Sequence, residues 1–212
     1  MTVRRGVRLP LEQLAPYLLA VPAPPARIDF PSVFGNDHPV EIEVGFGKGL
    51  FLLTSALTRP DVNFLGIEME RKYQLFTANR LAKRGLANAR LICADARSLF
   101  RDCLASDSVD AIHVYFPDPW WKKRHHKRRL WTPEFADQCE RVLRPGGKLS
   151  IATDVAAYFG IITGLLAEHG RLRLLPPPSE KEPEHDLDYQ TNFERKSRKA
   201  GKAVCRAVYQ ME

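Results

Sequence analysis

Short apolar runs alternate with helix-period segments along most of this chain, and that alternation predicts its architecture. Residues 40–44 read as a buried strand, followed by a glycine turn and a helix over 49–57. Residues 64–67 read as a second strand. Over 71–84, Leu75, Ala78 and Ala82 recur at helical spacing, and Gly85 stops the pattern. Residues 91–94 and 109–116 are the third and fourth strands. Thr132-Pro133 opens a helix with a capping hydroxyl and Pro in the first turn. Arg144-Pro145-Gly146-Gly147 is a turn before a fifth strand, 148–152. Asp154 then caps a helix whose Tyr158, Ile161, Ile162, Leu165 and Leu166 share one face, ended by Gly170. Residues 176–188 are a proline-rich, charged loop, and 203–210 a last strand. Strand and helix in alternation predict an open, largely parallel α/β sheet with helices on both faces.

Residues 1–39 stand apart from this pattern. Seven of the 16 prolines fall there, together with Arg4, Arg5, Arg8 and Arg27, so the segment reads as an extended or irregular basic arm packing over a single domain, 40–212. Arg4 and Arg5 ahead of leucines imitate an export signal, but Pro10, Glu12, Gln13 and Pro16 interrupt the apolar stretch. No uncharged apolar run approaches the roughly 18–20 residues that a membrane span needs. Cys93, Cys103, Cys139 and Cys205 are widely spaced, which predicts reduced thiols in a cytoplasmic protein, with Cys93 buried in its apolar run.

Charge changes the picture most. The chain carries a net +7, and the eight residues 122–129 alone supply six cations: Lys122, Lys123, Arg124, Lys127, Arg128 and Arg129, with His125 and His126 between them. The surplus is therefore a patch suited to a polyanion. It follows Pro117-Asp118-Pro119, where two fixed φ angles position one carboxylate at the end of the fourth strand. A rigid acid beside a basic run suits chemistry performed on a nucleic acid. Adjacent histidines cannot face one metal from a regular element, so no metal site is expected.

The other end of the same crevice carries Glu43-Val44-Gly45-Phe46-Gly47-Lys48-Gly49, a GxGxG turn that opens a helix. Glu68 ends the second strand 23 residues after Gly45, where a carboxylate can accept both ribose hydroxyls of an adenosine. Asp95, ending the third strand, is placed to meet the adenine edge. Glu43 is an acid where a core residue would be expected, suited to the ammonium or sulfonium group of a cationic ligand such as S-adenosyl-L-methionine.

Phe-Pro-Asp-Pro-Trp-x-Lys-x-Arg-His-x-Lys-Arg-Arg over 116–129 resembles the signature of the bacterial tRNA (guanine-N7-)-methyltransferase family. Glu-Val-Gly-Phe-Gly-x-Gly, Gly66-Ile67-Glu68, Ala152-Thr153-Asp154 and Thr191-Asn192-Phe193-Glu194 follow the family's order. The similarity covers about residues 40 to 212, and Trp121 departs from it, standing where the family more often has Pro or His. The resemblance implies a Rossmann-like class I methyltransferase fold with a seven-stranded, mostly parallel sheet. It implies methyl transfer from S-adenosyl-L-methionine to N7 of guanosine 46 of tRNA. It further implies donor contacts by Glu43, Gly45, Gly47, Gly49, Glu68, Asp95 and Asp118. Substrate contacts fall to Lys122, Asp154, Thr191, Asn192, Phe193 and Glu194, and RNA contacts to Arg124, His125, His126, Lys127, Arg128 and Arg129.

Asp118 is the expected catalytic residue. Trp120 is expected in the core, with Trp121 available to stack on a base. Two rival readings stay open on sequence grounds: a methyltransferase for another nucleic-acid or amide acceptor, and a non-catalytic RNA-binding module. The chain is expected as a monomer or a homodimer.

Overall fold

The computed structural model describes residues 8–23, 26–177 and 191–212. Five strands run parallel: β1 (Val40–Val44), β2 (Asn63–Glu68), β3 (Ala89–Cys93), β4 (Val109–Tyr115) and β5 (Leu143–Thr153). Two more, β6 (Leu172–Leu174) and β7 (Cys205–Met211), close one edge, giving the order β3-β2-β1-β4-β5-β7-β6 with β7 antiparallel to both neighbours. The order reverses between β1 and β4, so the crevice at their carboxyl ends is the expected ligand site. Register aligns those ends: Val44 lies beside Ile67 on one side and Val114 on the other.

Strand alternation sends side chains to two cores. On one face Ile42, Leu65, Ile67, Ile92, Ile112, Val114 and Ile151 pack beneath α5 (Ala96–Cys103), α6 (Pro133–Val142) and α7 (Ala156–Ala167). On the other, Phe64, Ala89 and Leu91 pack beneath α3 (Leu50–Thr58) and α4 (Arg71–Ala82). Beneath α3 this second face turns polar. His113 lies between the Tyr115 hydroxyl and Glu41 Oε2, 2.9 Å from each, and Arg59 donates to the other Glu41 oxygen at 2.6 Å.

The arm is more ordered than its prolines suggest. It contains α1 (Leu11–Leu14) and α2 (Phe30–Phe34), with Leu14 and Tyr17 buried. The Leu19 amide donates to the Leu91 carbonyl at 2.9 Å, so the arm covers the otherwise open edge of β3. Residues 1–7, with Arg4 and Arg5, lie outside the described residues, as do 178–188 of the expected loop.

Several expectations are corrected. Asp154 does not cap α7; Val155 is its N-cap, and the Asp154 carboxylate turns to a later helix. The buried stripe of α7 is Tyr158, Ile162 and Leu166, at i, i+4 and i+8, while Ile161 is 43% exposed. Residues 144–147 do turn, but as an irregularity inside β5: Val109 pairs with Leu143 and Ala111 already with Lys148. Cys93 is half-exposed, its thiol donating to the Met69 carbonyl at 3.4 Å. The fully buried tryptophan is Trp131; Trp120 is only half-buried.

Candidate active site

The glycine loop is built by close approach. Gly49 has φ +63°, and a Cβ there would lie 2.2 Å from Thr77 Cγ2, so α4 sits against the loop at a distance that excludes any side chain. The Thr77 hydroxyl reinforces the contact by donating to the Gly47 carbonyl at 3.3 Å. Gly45 (φ +78°) donates its amide to the Ile67 carbonyl at 2.8 Å, which folds the loop back onto β2. There Glu68 meets it: the Gly47 amide donates to Glu68 Oε2 at 2.9 Å, and the Glu70 amide to Oε1 at 3.1 Å. Two acceptor oxygens with about four lone-pair sites leave room for ribose hydroxyls.

Glu43 lies beneath this loop, 3% exposed, and its Oε2 is a buried acceptor with no partner. Burial raises its pKa to about 8, a backbone hydrogen bond from Leu52 opposes the rise, and the nearby Glu68 charge adds to it. An orphaned buried carboxyl beside a glycine cradle fits a cationic ligand group. Asp95 stands at the end of β3 as the N-cap of α5. It accepts from the Arg97 amide at 2.9 Å and from the Arg97 guanidinium at 2.7 Å, and the guanidinium bonds hold its pKa down against the opposing pull of burial.

At the end of β4 the backbone itself is strained. Phe116 has φ +54° and Trp120 φ +43°, so two aromatic residues in the left-handed region bracket Pro117-Asp118-Pro119. Each such residue costs roughly 1–3 kcal/mol, which surrounding contacts must offset, and strain of this kind gathers at functional sites. The contacts are visible. Arg128 lies 5.2 Å over the Trp120 ring and Arg129 5.6 Å over Trp121, and Arg129 Nε donates to the Pro119 carbonyl at 2.8 Å. The basic run is a 3-10 helix, Lys123–Arg128, not a loose tail. Lys122 is its exposed N-cap, His125 meets Trp120 edge-on, and Arg97 donates to the Lys127 carbonyl at 3.0 Å. His126 Nε2 lies 3.2 Å from the Trp121 carbonyl, and Arg124 Nε donates to His125 at 3.3 Å. Asp118 is exposed at the tip; Trp121 and Arg129 lie against the buried Tyr158, whose pKa burial raises, with a small addition from the Asp118 charge.

A third wall comes from α8 (Asn192–Lys199). Thr191 caps it, accepting from the Glu194 amide at 3.0 Å. Glu194 is 4% exposed and takes charged hydrogen bonds from Arg198, at 3.0 Å, and from Arg206 on β7. Asp154 accepts from the Ser197 hydroxyl at 2.8 Å and pairs with Lys202 at 3.5 Å. These bonds fix α8 so that Phe193 stacks on Phe116, ring centroids 6.1 Å apart, while its Cε2 lies 3.9 Å from where a Gly47 Cβ would be. Phe193 thus joins the glycine loop to the end of β4. The structure brings Gly45, Gly47, Gly49, Glu43, Glu68, Phe116 and Phe193 around one mouth, with Asp118 two residues beyond Phe116. Asp95 and the 3-10 helix lie together on one flank, joined through Arg97.

Residues 37–207 match the family described as putative methyltransferase. A tRNA (guanine-N(7)-)-methyltransferase of Rhodopirellula baltica is 48% identical over 191 residues, covering 87% of this chain and 70% of that protein. The chain belongs to the tRNA (guanine-N(7)-)-methyltransferase family. A namesake from Pseudomonas aeruginosa is 37% identical over 83% of this chain and 72% of its own length. Among solved structures, the 16S rRNA methyltransferase KamB superposes with a TM-score of 0.62 at 17% identity, over 86% of this chain and 92% of that one. The aminoglycoside resistance methyltransferase NpmB1 gives 0.59 at 22%, over 84% and 90%. At such identities these two share the Rossmann-like methyltransferase fold.

Within this guanine-N7 methyltransferase family member, several features escape a reading of the motifs. The strain at Phe116 and Trp120 carries no glycine to announce it. The partners of Trp120 and Trp121 are arginines of the basic run itself, Arg128 and Arg129, each eight residues further on, a matched spacing that could have suggested pairing. Tyr158 is fully buried beside the Trp131 backbone, and nothing but helical spacing marked it. Among the described residues no group of three or more His, Cys, Asp or Glu side chains could hold a metal, and no helix is long and apolar enough to cross a membrane.

Proposed function

We propose that this protein transfers the methyl group of S-adenosyl-L-methionine to N7 of guanosine 46 in the variable region of tRNA, in the cytoplasm. The observation that carries the reading is the bridge made by Phe193 between the glycine loop and the Phe116 turn, beside a basic helix. When bound, the donor supplies an electrophilic methyl on a sulfonium sulfur. Glu43 and the open turn of the Gly45–Gly49 loop, which no side chain fills, would hold its amino-acid end, Glu68 its ribose, and Asp95 its adenine edge. Asp118 lies at the reacting end.

Guanine N7 carries a lone pair and no proton, so no general base is needed. The residues of the chain therefore act by placing the purine, and placement of this kind can be worth roughly 7–11 kcal/mol. Phe193, 53% exposed, offers a face for the base. Asp154, with Oδ2 committed to Ser197 and Lys202, keeps Oδ1 for a purine N–H. Glu194 and Thr191 act through α8, holding Phe193 and Asn192 in place. Lys122, Arg124, His125, His126, Lys127, Arg128 and Arg129 face the phosphate backbone. The fixed Asp118 carboxylate stabilises the positive charge that appears on the purine ring.

The test is incorporation of labelled methyl into two unmodified tRNA transcripts differing only at position 46. Label enters the transcript with guanosine there and not the one with adenosine. Equal labelling of both would remove the proposed target.

A further inference from the structure

The 3-10 helix accounts for one flank of the mouth; the opposite flank is also cationic. The side of α4 that packs on the glycine loop carries Thr77 and Arg80, and the turn just past the end of the helix carries Arg84. Thr77 is buried in the contact. One turn on, Arg80 donates to the Lys48 carbonyl at 2.5 Å, and Arg84 lies beyond it, its guanidinium 3.4 Å from the Arg80 carbonyl. From α8, Arg195 comes close enough that its charge, with that of Arg84, helps burial lower the Arg80 pKa. Lys196 sits 5.6 Å over the Phe193 ring.

Four other surface arginines are neutralised locally: Arg59 by Glu41, Arg97 by Asp95, Arg101 by Asp102 and Arg144 by Asp110. Among the described residues no carboxylate pairs with Lys48, Arg80, Arg84 or Lys196. Like charges gathered around a loop repel one another and weaken the fold until a bound anion neutralises them.

We propose that Lys48, Arg80, Arg84 and Lys196 form a second phosphate-binding surface, so that the RNA backbone is held on both sides of the mouth. The inference rests on the tRNA reading above. It places phosphates on one side of the target nucleotide against the 3-10 helix and those on the other side against α4 and α8. A backbone held at two points around the reacting base is constrained in direction as well as in distance, which one basic helix alone cannot do.

The experiment compares wild type with Arg84→Gln/Lys196→Gln, both exposed positions, in tRNA binding across a salt series. Two lost phosphate contacts lower the slope of log Kd against log salt by roughly 1.4–1.8 and weaken binding by about tenfold or more near 0.1 M salt. Affinity for S-adenosyl-L-methionine and Tm stay at wild-type values. Lys148→Gln/Arg173→Gln, midway along β5 and on the edge strand β6, controls for net charge and leaves the slope unchanged. An Arg84→Gln/Lys196→Gln slope equal to wild type, or one matched by the control pair, overturns the second surface. In either case wild-type methylation of tRNA still stands or falls separately, because it is read from wild type alone.

Discussion

Glu43 holds a carboxyl that burial keeps protonated up to about pH 8, inside a site whose expected ligand is cationic. Its folded pKa is raised above the usual 4.5, so between these values the folded protein keeps a proton that the unfolded chain has released. Stability without donor therefore falls as pH rises through that window, by up to about 1.4 kcal/mol per unit, and levels off above it. Denaturant titrations of wild type and Glu43→Gln across the window read this directly: the wild-type decline is steeper by that amount, and equal slopes would mean an ordinary carboxyl. Asp118 makes a kinetic prediction. Asp118→Ala lowers single-turnover methylation by about a hundredfold, the scale of losing one fixed electrostatic contact, with tRNA affinity little changed. Near-normal turnover would remove it from the mechanism. The positions of both acids are legible in the sequence, because each ends a recognisable strand. Their environments are not: the Glu43 pKa depends on α3 and the loop closing over it, and the exposure of Asp118 on the left-handed turns at Phe116 and Trp120.

Elements without a long apolar stripe are the ones the sequence hides. The α5 helix has only eight residues, and its cap Asp95 reads equally as a ligand until Arg97 is seen folding back onto it. The 3-10 helix is cationic throughout and has no buried residue; its shape comes from Arg128 and Arg129 lying over the tryptophans that precede it. In α8 the Thr191 hydroxyl caps the helix, while Glu194 three residues on is buried against Arg206, a contact 12 residues away that periodicity cannot reveal. Glu194→Ala removes the buried carboxylate that Arg198 and Arg206 share and destabilises the protein by about 3 kcal/mol. Thr191→Ala, removing only the cap, costs about 1 kcal/mol. Calorimetric melting orders the two. A Glu194→Ala protein as stable as wild type would return Glu194 to direct substrate contact.

Across the whole molecule, the sheet is legible because apolar runs and helical stretches alternate at lengths that suit a parallel α/β fold. The strand order is not, because β7 turns back antiparallel beside β5 and the three-residue β6 carries almost no pattern. The arm is ordered by what it covers, the edge of β3, rather than by its own prolines. Charge is distributed with the same economy: six cations in one turn-rich segment against a net +7. Lys123→Gln/Lys127→Gln, sparing the arginines that hold the tryptophans, therefore weakens tRNA binding and lowers its salt slope by roughly 1.4–1.8, with donor affinity unchanged. Equal losses for tRNA and donor would indicate a disturbed fold.

The central claim, methylation at a ring nitrogen that needs no deprotonation, is tested most directly by digesting tRNA labelled from S-adenosyl-L-methionine and identifying the labelled nucleoside by mass spectrometry. The expected result is a single methylguanosine with a fixed positive charge on its base. Label on a neutral exocyclic amine, or on a protein amide, would contradict it.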